Sequence, residues 1–340
     1  MVSVVAPDRP GIAEDAAVEP AVEVHDLVKR YGELAAVDGI DLSVAQGEIF
    51  AFLGPNGAGK STPIKMLCTL ARPTSGQAMV AGFDVTSQAK SVRRHIGLVF
   101  QEQTLDDQLT AEENLRFHAV LYGVPRDQVD ARITRVLELV ALSDRRKDLV
   151  STYSGGMARR LEIARGMLHT PRVLFLDEPP VGLDPQTRAL IWDDIQRLRR
   201  EEGVTIFLTT HYMDEAEYAE RIAIIDHGSV VAIDTPDALK ASVGTDTVAL
   251  ETADDGAALV SLKLAGYKVE RTEDGLTAFV SDEEAAVGPI VAAAGVPVRT
   301  VRAHRPTLDD VFLHFTGREI REQHGEVVPM FARARAARRS

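Results

Sequence analysis

The chain has 340 residues, of which 45% are hydrophobic and 26% charged, and its net charge is −13. This length is enough for two domains with cores of their own, and the composition is that of a globular protein. The acidic balance disfavours non-specific binding to nucleic acid, and the single cysteine, Cys68, excludes an intrachain disulfide. No run of apolar residues approaches the 18 or so that a transmembrane helix needs.

The two ends of the chain differ from the rest in composition. Residues 1–20 contain acids and prolines but no apolar segment of the kind found in signal peptides, so the sequence predicts a disordered leader there. Residues 318–340 form a basic tail rich in arginine and alanine. This tail is predicted to be solvated, with an anionic membrane surface as the alternative partner.

Short runs of alternating apolar and polar residues between 22 and 100 are typical of strands with mixed exposure. Within this region the apolar run Ile49–Leu53 is followed by the motif Gly-x4-Gly-Lys-Ser and then by a predicted helix over 61–70. Cys68 lies in this helix and is predicted to be an apolar packing residue. This order predicts a phosphate-binding loop, because its N–H groups and the helix N-terminus favour an anion. The expected ligand contacts are Gly54, Pro55, Asn56, Gly57, Ala58, Gly59, Lys60, Ser61 and Thr62.

Within this loop, Lys60 is expected to reach the β/γ-phosphates and Ser61 to ligate Mg²⁺. A phosphate loop by itself does not distinguish kinases, GTPases and motor ATPases. The polar residues at the ends of other strands must therefore decide among these classes.

Two nearly continuous apolar runs, 173–176 and 205–208, predict buried parallel strands. Ligands of open α/β sheets bind at the carboxyl ends of such strands, where Asp177, Glu178 and His211 follow. Asp177 is suited to hold Mg²⁺ through its coordination shell, and Glu178 to orient or deprotonate an attacking water. The sequence contains no Asn-Lys-x-Asp motif for reading guanine, which argues against a GTPase.

Between the phosphate loop and these carboxylates lies a second candidate anion site. Ser154, Gly155 and Gly156 precede a predicted helix over 158–169, and such residues at a helix N-terminus favour an anion. With this segment the chain resembles the ATP-binding subunit of ABC transporters, whose signature is usually written Leu-Ser-Gly-Gly-Gln. The resemblance covers about residues 22–235 and includes every family motif in order.

The resemblance implies an α/β fold, a P-loop NTPase of the ABC ATPase cassette type over residues 21–238. Its mixed sheet core carries a helical signature subdomain at about 103–168. By the same resemblance Tyr31 stacks on adenine, Gln101 is the Q-loop glutamine, Asp184 belongs to the D-loop at 182–184, and His211 is the switch histidine. ATP and Mg²⁺ are then the cofactors, the catalytic residues are Lys60, Gln101, Glu178 and His211, and the Mg²⁺ ligands are Ser61, Gln101 and Asp177.

The resemblance also implies partners. In the family, the Ser154–Gly156 segment of one copy completes the ATP site at the phosphate loop of another, which predicts an ATP-dependent head-to-tail homodimer. It implies a separately encoded membrane permease subunit and a peripheral position at the cytoplasmic face of the cell membrane. No nucleic-acid partner is expected.

Three residues depart from the usual family pattern: Pro63 replaces a threonine, Pro180 follows Asp-Glu-Pro in place of a threonine, and Met157 replaces the signature glutamine. Pro63 is expected to remove one backbone hydrogen bond of its helix. Neither proline is predicted to affect a residue that contacts phosphate or Mg²⁺, so the expected effect of the two prolines is on the rate.

Beyond residue 243, strand-like and helix-like runs predict a small α/β accessory domain at 239–317 that packs separately from the cassette. The strands are expected at 248–250, 268–271, 276–280 and 298–302, and the helices at 257–264 and 283–294. The segment 305–317 reads locally as an amphipathic closing helix. It also resembles the C-terminal motif of ATP-binding subunits of the daunorubicin/doxorubicin-resistance type, which predicts export of a hydrophobic drug or antibiotic.

Two other functions compete with this hypothesis. A soluble ABC ATPase that acts on nucleic acid or ribosomes usually carries two cassettes or a long coiled-coil insertion, and this sequence has neither. A catalytically silent regulatory cassette is suggested only by Pro63 and Pro180.

Overall fold

In the computed structural model, residues 19–179, 183–272, 275–281 and 283–317 are described. Residues 1–18 of the predicted leader, the predicted basic tail at 318–340, and Pro180 and Gly182 lie outside them.

The strands and helices follow each other as a short β-rich region, a helical region, an α/β region and a C-terminal α/β unit. In chain order the strands are β1 (Val22–Tyr31), β2 (Leu34–Val44), β3 (Ile49–Leu53), β4 (Ser75–Val80), β5 (Phe83–Asp84), β6 (Ile96–Val99), β7 (Val173–Asp177), β8 (Thr205–Thr210), β9 (Arg221–Asp226), β10 (Ser229–Asp234), β11 (Thr247–Thr252), β12 (Lys268–Thr272), β13 (Gly275–Phe279) and β14 (Val298–His304). The α-helices are α1 (Ser61–Leu67), α2 (Ala89–His95), α3 (Ala111–Leu121), α4 (Val129–Leu139), α5 (Gly155–Met167), α6 (Pro185–Glu202), α7 (Met213–Ala216), α8 (Pro236–Val243), α9 (Asp255–Leu264), α10 (Glu283–Ala293) and α11 (Leu308–Thr316).

A six-stranded sheet with the order β10-β9-β3-β8-β7-β6 forms the centre of the cassette. Strands β9, β3, β8, β7 and β6 pair in parallel, while β10 pairs antiparallel with β9. Every residue of β3, β7 and β8 is buried, as expected for strands covered on both faces. The predicted buried parallel strands are therefore confirmed. Their carboxyl ends place the phosphate loop, Asp177 and His211 at one edge of the sheet.

One face of this sheet packs against a second, four-stranded antiparallel sheet with the order β2-β1-β4-β5, and aromatic side chains fill the space between them. The centre of this apolar layer consists of the rings of Phe50, Phe52, Phe175 and Phe207. Neighbouring rings among these four have centroids 5.3–6.0 Å apart. The other face packs against α3, α4, α5 and α6. Hydrophobic burial on both faces fixes the sheet that carries the loops of the site.

Helix α1 is shorter than the sequence predicted. It ends at Leu67, Cys68 is its buried C-terminal cap, and Thr69 has a left-handed φ of 63°. The expectation that Pro63 removes a helical hydrogen bond is wrong. Lys60 is the N-cap, so Pro63 occupies the third helical position, where an N–H has no intrahelical acceptor. Pro63 is also buried, so its ring contributes to packing.

The C-terminal unit has the chain order β11-α9-β12-β13-α10-β14, and its four strands form an antiparallel sheet in the order β12-β13-β11-β14. This is the split β-α-β arrangement, with α9 and α10 contributing to a separate apolar core. Helix α11 differs from the expectation of separate packing. Its buried residues Leu308, Val311 and Phe312 belong to the main apolar cluster of the cassette, and it packs against α8.

Candidate functional site

The loop between β3 and α1 lines a cavity of about 590 Å³. Its backbone needs glycine at Gly59, where φ is 104° and a Cβ atom would lie 2.5 Å from the carbonyl oxygen of Ala36. The loop is held from the β9–β10 turn, because the N–H of Gly228 donates to the carbonyl of Ala58 (2.9 Å). The cavity wall consists of residues 34–36, residues 56–62, Gln101, Glu178, His227 and Gly228.

Lys60 is 4% exposed and lines this cavity. Its Nζ donates to the carbonyl oxygens of Gly54 (2.7 Å) and Pro55 (3.1 Å) and forms an ion pair with Glu178 Oε1 at 3.2 Å. Burial lowers the pKa of Lys60, while the carboxylates of Glu178 and Asp177 act in the opposite direction. The ammonium group is thus held inside the loop by two backbone carbonyls and the Glu178 carboxylate.

Ser61 and Asp177 lie at hydrogen-bond distance although 116 residues separate them in the sequence. The Ser61 hydroxyl donates to Asp177 Oδ1 (3.2 Å), and the buried Thr209 hydroxyl donates to the same oxygen (2.6 Å). A hydroxyl and a carboxylate are hard oxygen ligands of the type that Mg²⁺ prefers. Gln101 faces Glu178 rather than this pair, because its amide nitrogen donates to Glu178 Oε2 (3.1 Å).

Glu178 is the centre of the polar contacts at this edge of the sheet. Its carboxylate meets Lys60 and Gln101 as described, and its Oε1 lies 3.3 Å from Nδ1 of His211. Burial alone would raise the pKa of Glu178, but its contacts with His211 and Lys60 bring it below the ordinary value. The carboxylate is therefore charged near neutral pH and able to accept a proton.

The backbone of Glu178 has a left-handed φ of 47°, which is uncommon for a residue with a side chain. Its N–H donates to the carbonyl (3.2 Å) and to the hydroxyl (3.1 Å) of Thr209 on the neighbouring strand β8. This conformation turns the chain away from β7 directly after Asp177. Both carboxylates thus leave the end of one strand toward the phosphate loop.

The segment that carries His211 is connected to helix α6. Thr210 donates its hydroxyl to Glu215 Oε2 (2.5 Å), and Arg188 of α6 places its Nε 3.8 Å from Glu215 Oε1. The Arg188 guanidinium also lies 4.4 Å from the ring centroid of Tyr212, a cation–π distance. Burial raises the pKa of Glu215 to about 7, although Thr210 and Arg188 oppose this shift.

The Ser154–Gly156 segment is outside the large cavity of its own chain. Ser154 is the exposed N-cap of α5, and its hydroxyl accepts from the N–H of Met157 (3.3 Å). Gly155 lines a smaller cavity of about 160 Å³ with Gln101 and Glu178. At Gly156 a Cβ atom would lie 2.1 Å from Cγ2 of Thr187, so glycine is required where α5 meets α6.

Asp184 and Tyr31 are both exposed. Asp184 is the N-cap of α6, where Oδ1 accepts from the N–H groups of Gln186 (3.1 Å) and Thr187 (3.0 Å). Tyr31 ends β1 with 51% exposure and lies outside the residues that line the large cavity. The structure thus gathers Lys60, Ser61, Gln101, Asp177, Glu178 and His211 at one place, and leaves Tyr31, Ser154 and Asp184 outside that cluster.

Several residues around the site are not among the site residues that the sequence predicts. Thr209 had a visible signal, because it lies two residues before His211 at the end of a buried strand. His227 lines the cavity with an 81% exposed side chain, but a histidine in a turn gives no sequence signal. Arg159 and Glu215 are buried charges, and only the tertiary structure identifies such burial.

Comparison with known proteins places this site in a family. Residues 37–181 match the ABC transporter family, and residues 235–316 match the C-terminal domain of DrrA1-3-like ATP-binding proteins. The daunorubicin resistance ATP-binding protein DrrA3 of Streptomyces coeruleorubidus is 43% identical over 88% of this chain and 96% of its own length. The linearmycin resistance ATP-binding protein LnrL of Bacillus subtilis (strain 168) is 36% identical over 88% of this chain and 100% of its own.

Solved structures agree with the fold. A dimeric post-hydrolysis state of the ATP-binding cassette MJ0796 bound to ADP and Pi superposes with a TM-score of 0.57 at 27% identity, covering 63% of this chain and 98% of that one. CbiO1 from Clostridium perfringens, part of the ABC transporter complex cbiONQ, gives 0.62 at 28% identity over 66% and 91%.

The chain belongs to the ABC transporter family as an ATP-binding subunit of the daunorubicin/doxorubicin-resistance type. It binds nucleotide and is an ATP-hydrolysing subunit. Among residues 19–179, 183–272, 275–281 and 283–317, no helix is long and apolar enough to cross a membrane.

Proposed function

We propose that this chain hydrolyses Mg²⁺-ATP to drive export of a hydrophobic drug or antibiotic through a separate membrane permease subunit, at the cytoplasmic face of the membrane. The proposed ATP hydrolysis is supported by one observation, the convergence of Lys60, Asp177 and Glu178 beside the phosphate loop. The export part is supported by the resistance ATP-binding proteins of Streptomyces and Bacillus that the chain resembles over most of its length. None of these relatives supports the alternative of an ATPase that acts on nucleic acid or ribosomes.

In this proposal residues 54–62 bind the phosphates of ATP through backbone N–H groups, and Lys60 exchanges its carbonyl acceptors for phosphate oxygens. Tyr31 contacts adenine from its exposed position on β1. Glu178 orients the attacking water and takes its proton, a role suited to a buried carboxylate that is charged near neutral pH. His211 and Gln101 hold the Glu178 carboxylate from two sides.

The oxygens of Ser61 and Asp177 fit a Mg²⁺ ion, and Gln101 supplies a third oxygen if its amide turns away from Glu178. Bound Mg²⁺ would neutralise charge on the β- and γ-phosphates. Thr209 supports this pair from β8 by holding Asp177 Oδ1.

The proposed active assembly is a head-to-tail homodimer. Ser154, Gly155 and Gly156 lie outside the phosphate-loop cavity of their own chain, and Ser154 and Gly155 are exposed. N–H groups at a helix N-terminus have no intrahelical acceptor, so this segment is suited to contact an ATP bound to a second copy. The dimeric structure of MJ0796 supports a dimer by similarity. Asp184 lies near the same surface. Its Oδ2 accepts a hydrogen bond from the Thr187 hydroxyl, and Thr187 packs against Gly156. We place the cassette at residues 21–238 and the accessory domain at 239–317.

The catalytic part of this proposal is tested by Lys60→Ala, with Lys65→Ala on the exposed side of the same helix as the matched control. Lys60→Ala should abolish Mg²⁺-dependent ATP hydrolysis, because it removes the cation aimed at the phosphates. Lys65→Ala should retain it. Unchanged turnover in the Lys60 variant would show that this loop is not the active site.

The dimer is tested by size-exclusion chromatography of Glu178→Gln with ATP, since slow hydrolysis should let the ATP-bound dimer accumulate. Ser154→Arg should prevent closure by adding bulk at the α5 N-terminus. Mixing the two inactive variants should restore part of the activity, because a mixed dimer has one site free of both substitutions. A Glu178→Gln protein that stays monomeric with nucleotide bound would contradict the head-to-tail arrangement.

A further inference from the structure

Arg159 lies on helix α5, five residues beyond Ser154, and is 7% exposed. Its guanidinium donates to the backbone of the turn that follows β7. Nη2 donates to the carbonyl oxygens of Asp177 (3.2 Å) and Glu178 (3.4 Å), and Nε donates to that of Pro179 (2.5 Å). Three consecutive carbonyls at the carboxylate pair are thus bound by one side chain.

The same guanidinium reaches a second segment of the site. Nη1 donates to the carbonyl oxygen of Phe100, the residue directly before Gln101, and to Glu162 Oε2 (2.9 Å). Four of the five acceptors of Arg159 are therefore neutral carbonyls, and Glu162 is the one carboxylate among them. Burial lowers the pKa of Arg159, yet an arginine keeps its proton in proteins.

These carbonyls need a donor because the chain leaves the sheet at this point. Glu178 has a left-handed φ of 47°, so the ladder of β7 ends at Asp177, the last residue that pairs with β8. A buried carbonyl without a partner is unfavourable, and a sparsely populated backbone conformation persists only when its surroundings hold it. The planar guanidinium, with five N–H groups in a fixed geometry, can satisfy acceptors on two separate segments at once.

We propose that Arg159 is a positioning residue of the ATPase. It holds the Glu178 turn and the segment before Gln101 at a fixed separation, so that the Glu178 carboxylate meets Gln101 (3.1 Å), Lys60 (3.2 Å) and His211 (3.3 Å). Because Arg159 lies on α5, it also fixes this helix and its N-cap, Ser154, relative to Glu178. The inference rests on the proposed role of Glu178 as the base.

A competing explanation is that Arg159 serves only its buried ion pair with Glu162. The two explanations differ for Arg159→Lys, which keeps the charge and the ion pair but offers donors on a single nitrogen. Glu162→Gln is the complementary variant, because Glu162 contacts Arg159, Arg165 and Thr104 but not the carbonyls of 177–179. Arg160→Lys is the matched control, since the neighbouring Arg160 pairs with Asp194 of α6.

The test measures turnover at saturating Mg²⁺-ATP, affinity for a non-hydrolysable ATP analogue, and melting temperature on the full chain. Arg159→Lys should lower kcat by about ten- to hundredfold, with affinity within about threefold. Its melting temperature should be below that of the wild type, because some of the buried carbonyls lose their donor. Arg160→Lys and Glu162→Gln should keep kcat close to wild type. A kcat for Arg159→Lys within twofold of wild type would overturn the inference, and so would parallel losses of kcat and stability in Arg159→Lys and Glu162→Gln.

Two further measurements keep the result interpretable. If Arg159→Lys does not fold, the double variant Arg159→Gln/Glu162→Gln is compared with Glu162→Gln alone. An equal kcat in the two overturns the inference, and a tenfold lower kcat in the double variant supports it. Glu178→Gln is assayed alongside: full turnover there defeats the proposed function and this inference with it, whereas an inactive Glu178→Gln with a fully active Arg159→Lys defeats the inference alone.

Discussion

Glu215 offers a test of how strongly burial acts on a charge next to the active site. Its side chain is 1% exposed, and its carboxyl meets the Thr210 hydroxyl and, at 3.8 Å, Arg188. His211 and Glu178 are the other charged or titratable groups that act on it. Burial raises its pKa from 4.5 to about 7 in the folded chain. We predict that Glu215→Gln stabilises the protein at alkaline pH, because the amide cannot acquire the charge that burial disfavours.

The sign follows from proton linkage. Between pH 4.5 and 7 the folded state binds more protons at Glu215 than the unfolded state, so this group's contribution to stability falls as pH rises and levels off above pH 7. One pKa unit corresponds to about 1.4 kcal/mol, so the loss between pH 5 and pH 8 is about 2–3 kcal/mol. The stability difference between Glu215→Gln and wild type should therefore grow by this amount over the same range.

Urea unfolding of both proteins at pH 5 and pH 8 measures this difference. Asp214→Asn is the control, because it neutralises an exposed carboxyl one residue earlier on the same helix and should show no comparable pH dependence. A difference between Glu215→Gln and wild type that stays constant with pH, or that shrinks toward pH 8, would refute the reasoning about burial.

Three further predictions concern packing. Phe312→Ala should destabilise the chain by about 3–5 kcal/mol in urea unfolding, because Phe312 is 1% exposed within the cassette core; a change below about 1 kcal/mol would show that α11 is not anchored there. Pro63→Thr should shift the ATP-bound melting point little, since no helical hydrogen bond is regained; a clear rise would contradict the cap at Lys60. Cys68 should resist iodoacetamide at pH 8 until the chain unfolds, because burial raises its pKa; fast labelling of native protein would contradict its burial.

The sequence alone determined the phosphate loop and the carboxylates at the end of β7, because each depends on local chemistry or on a strong period. Glycines at fixed spacing between an apolar strand and a helix specify an anion site regardless of what packs around them. The sequence does not determine where each helix ends. Helix α1 ends at Leu67 because the chain takes a left-handed conformation at Thr69, and hydrophobic periodicity does not encode such a conformation.

Tertiary structure alone decided which charges are buried and what they hold. Arg159 and Glu215 occupy helices whose sequence pattern does not separate them from exposed arginines and glutamates, and their roles depend on contacts with residues far along the chain. Helix α11 is similar: its apolar face was visible in the sequence, but its partner was not. An amphipathic pattern predicts that one face of a helix is buried, but only the fold determines which surface covers that face. For α11 this surface consists of the cassette core and α8.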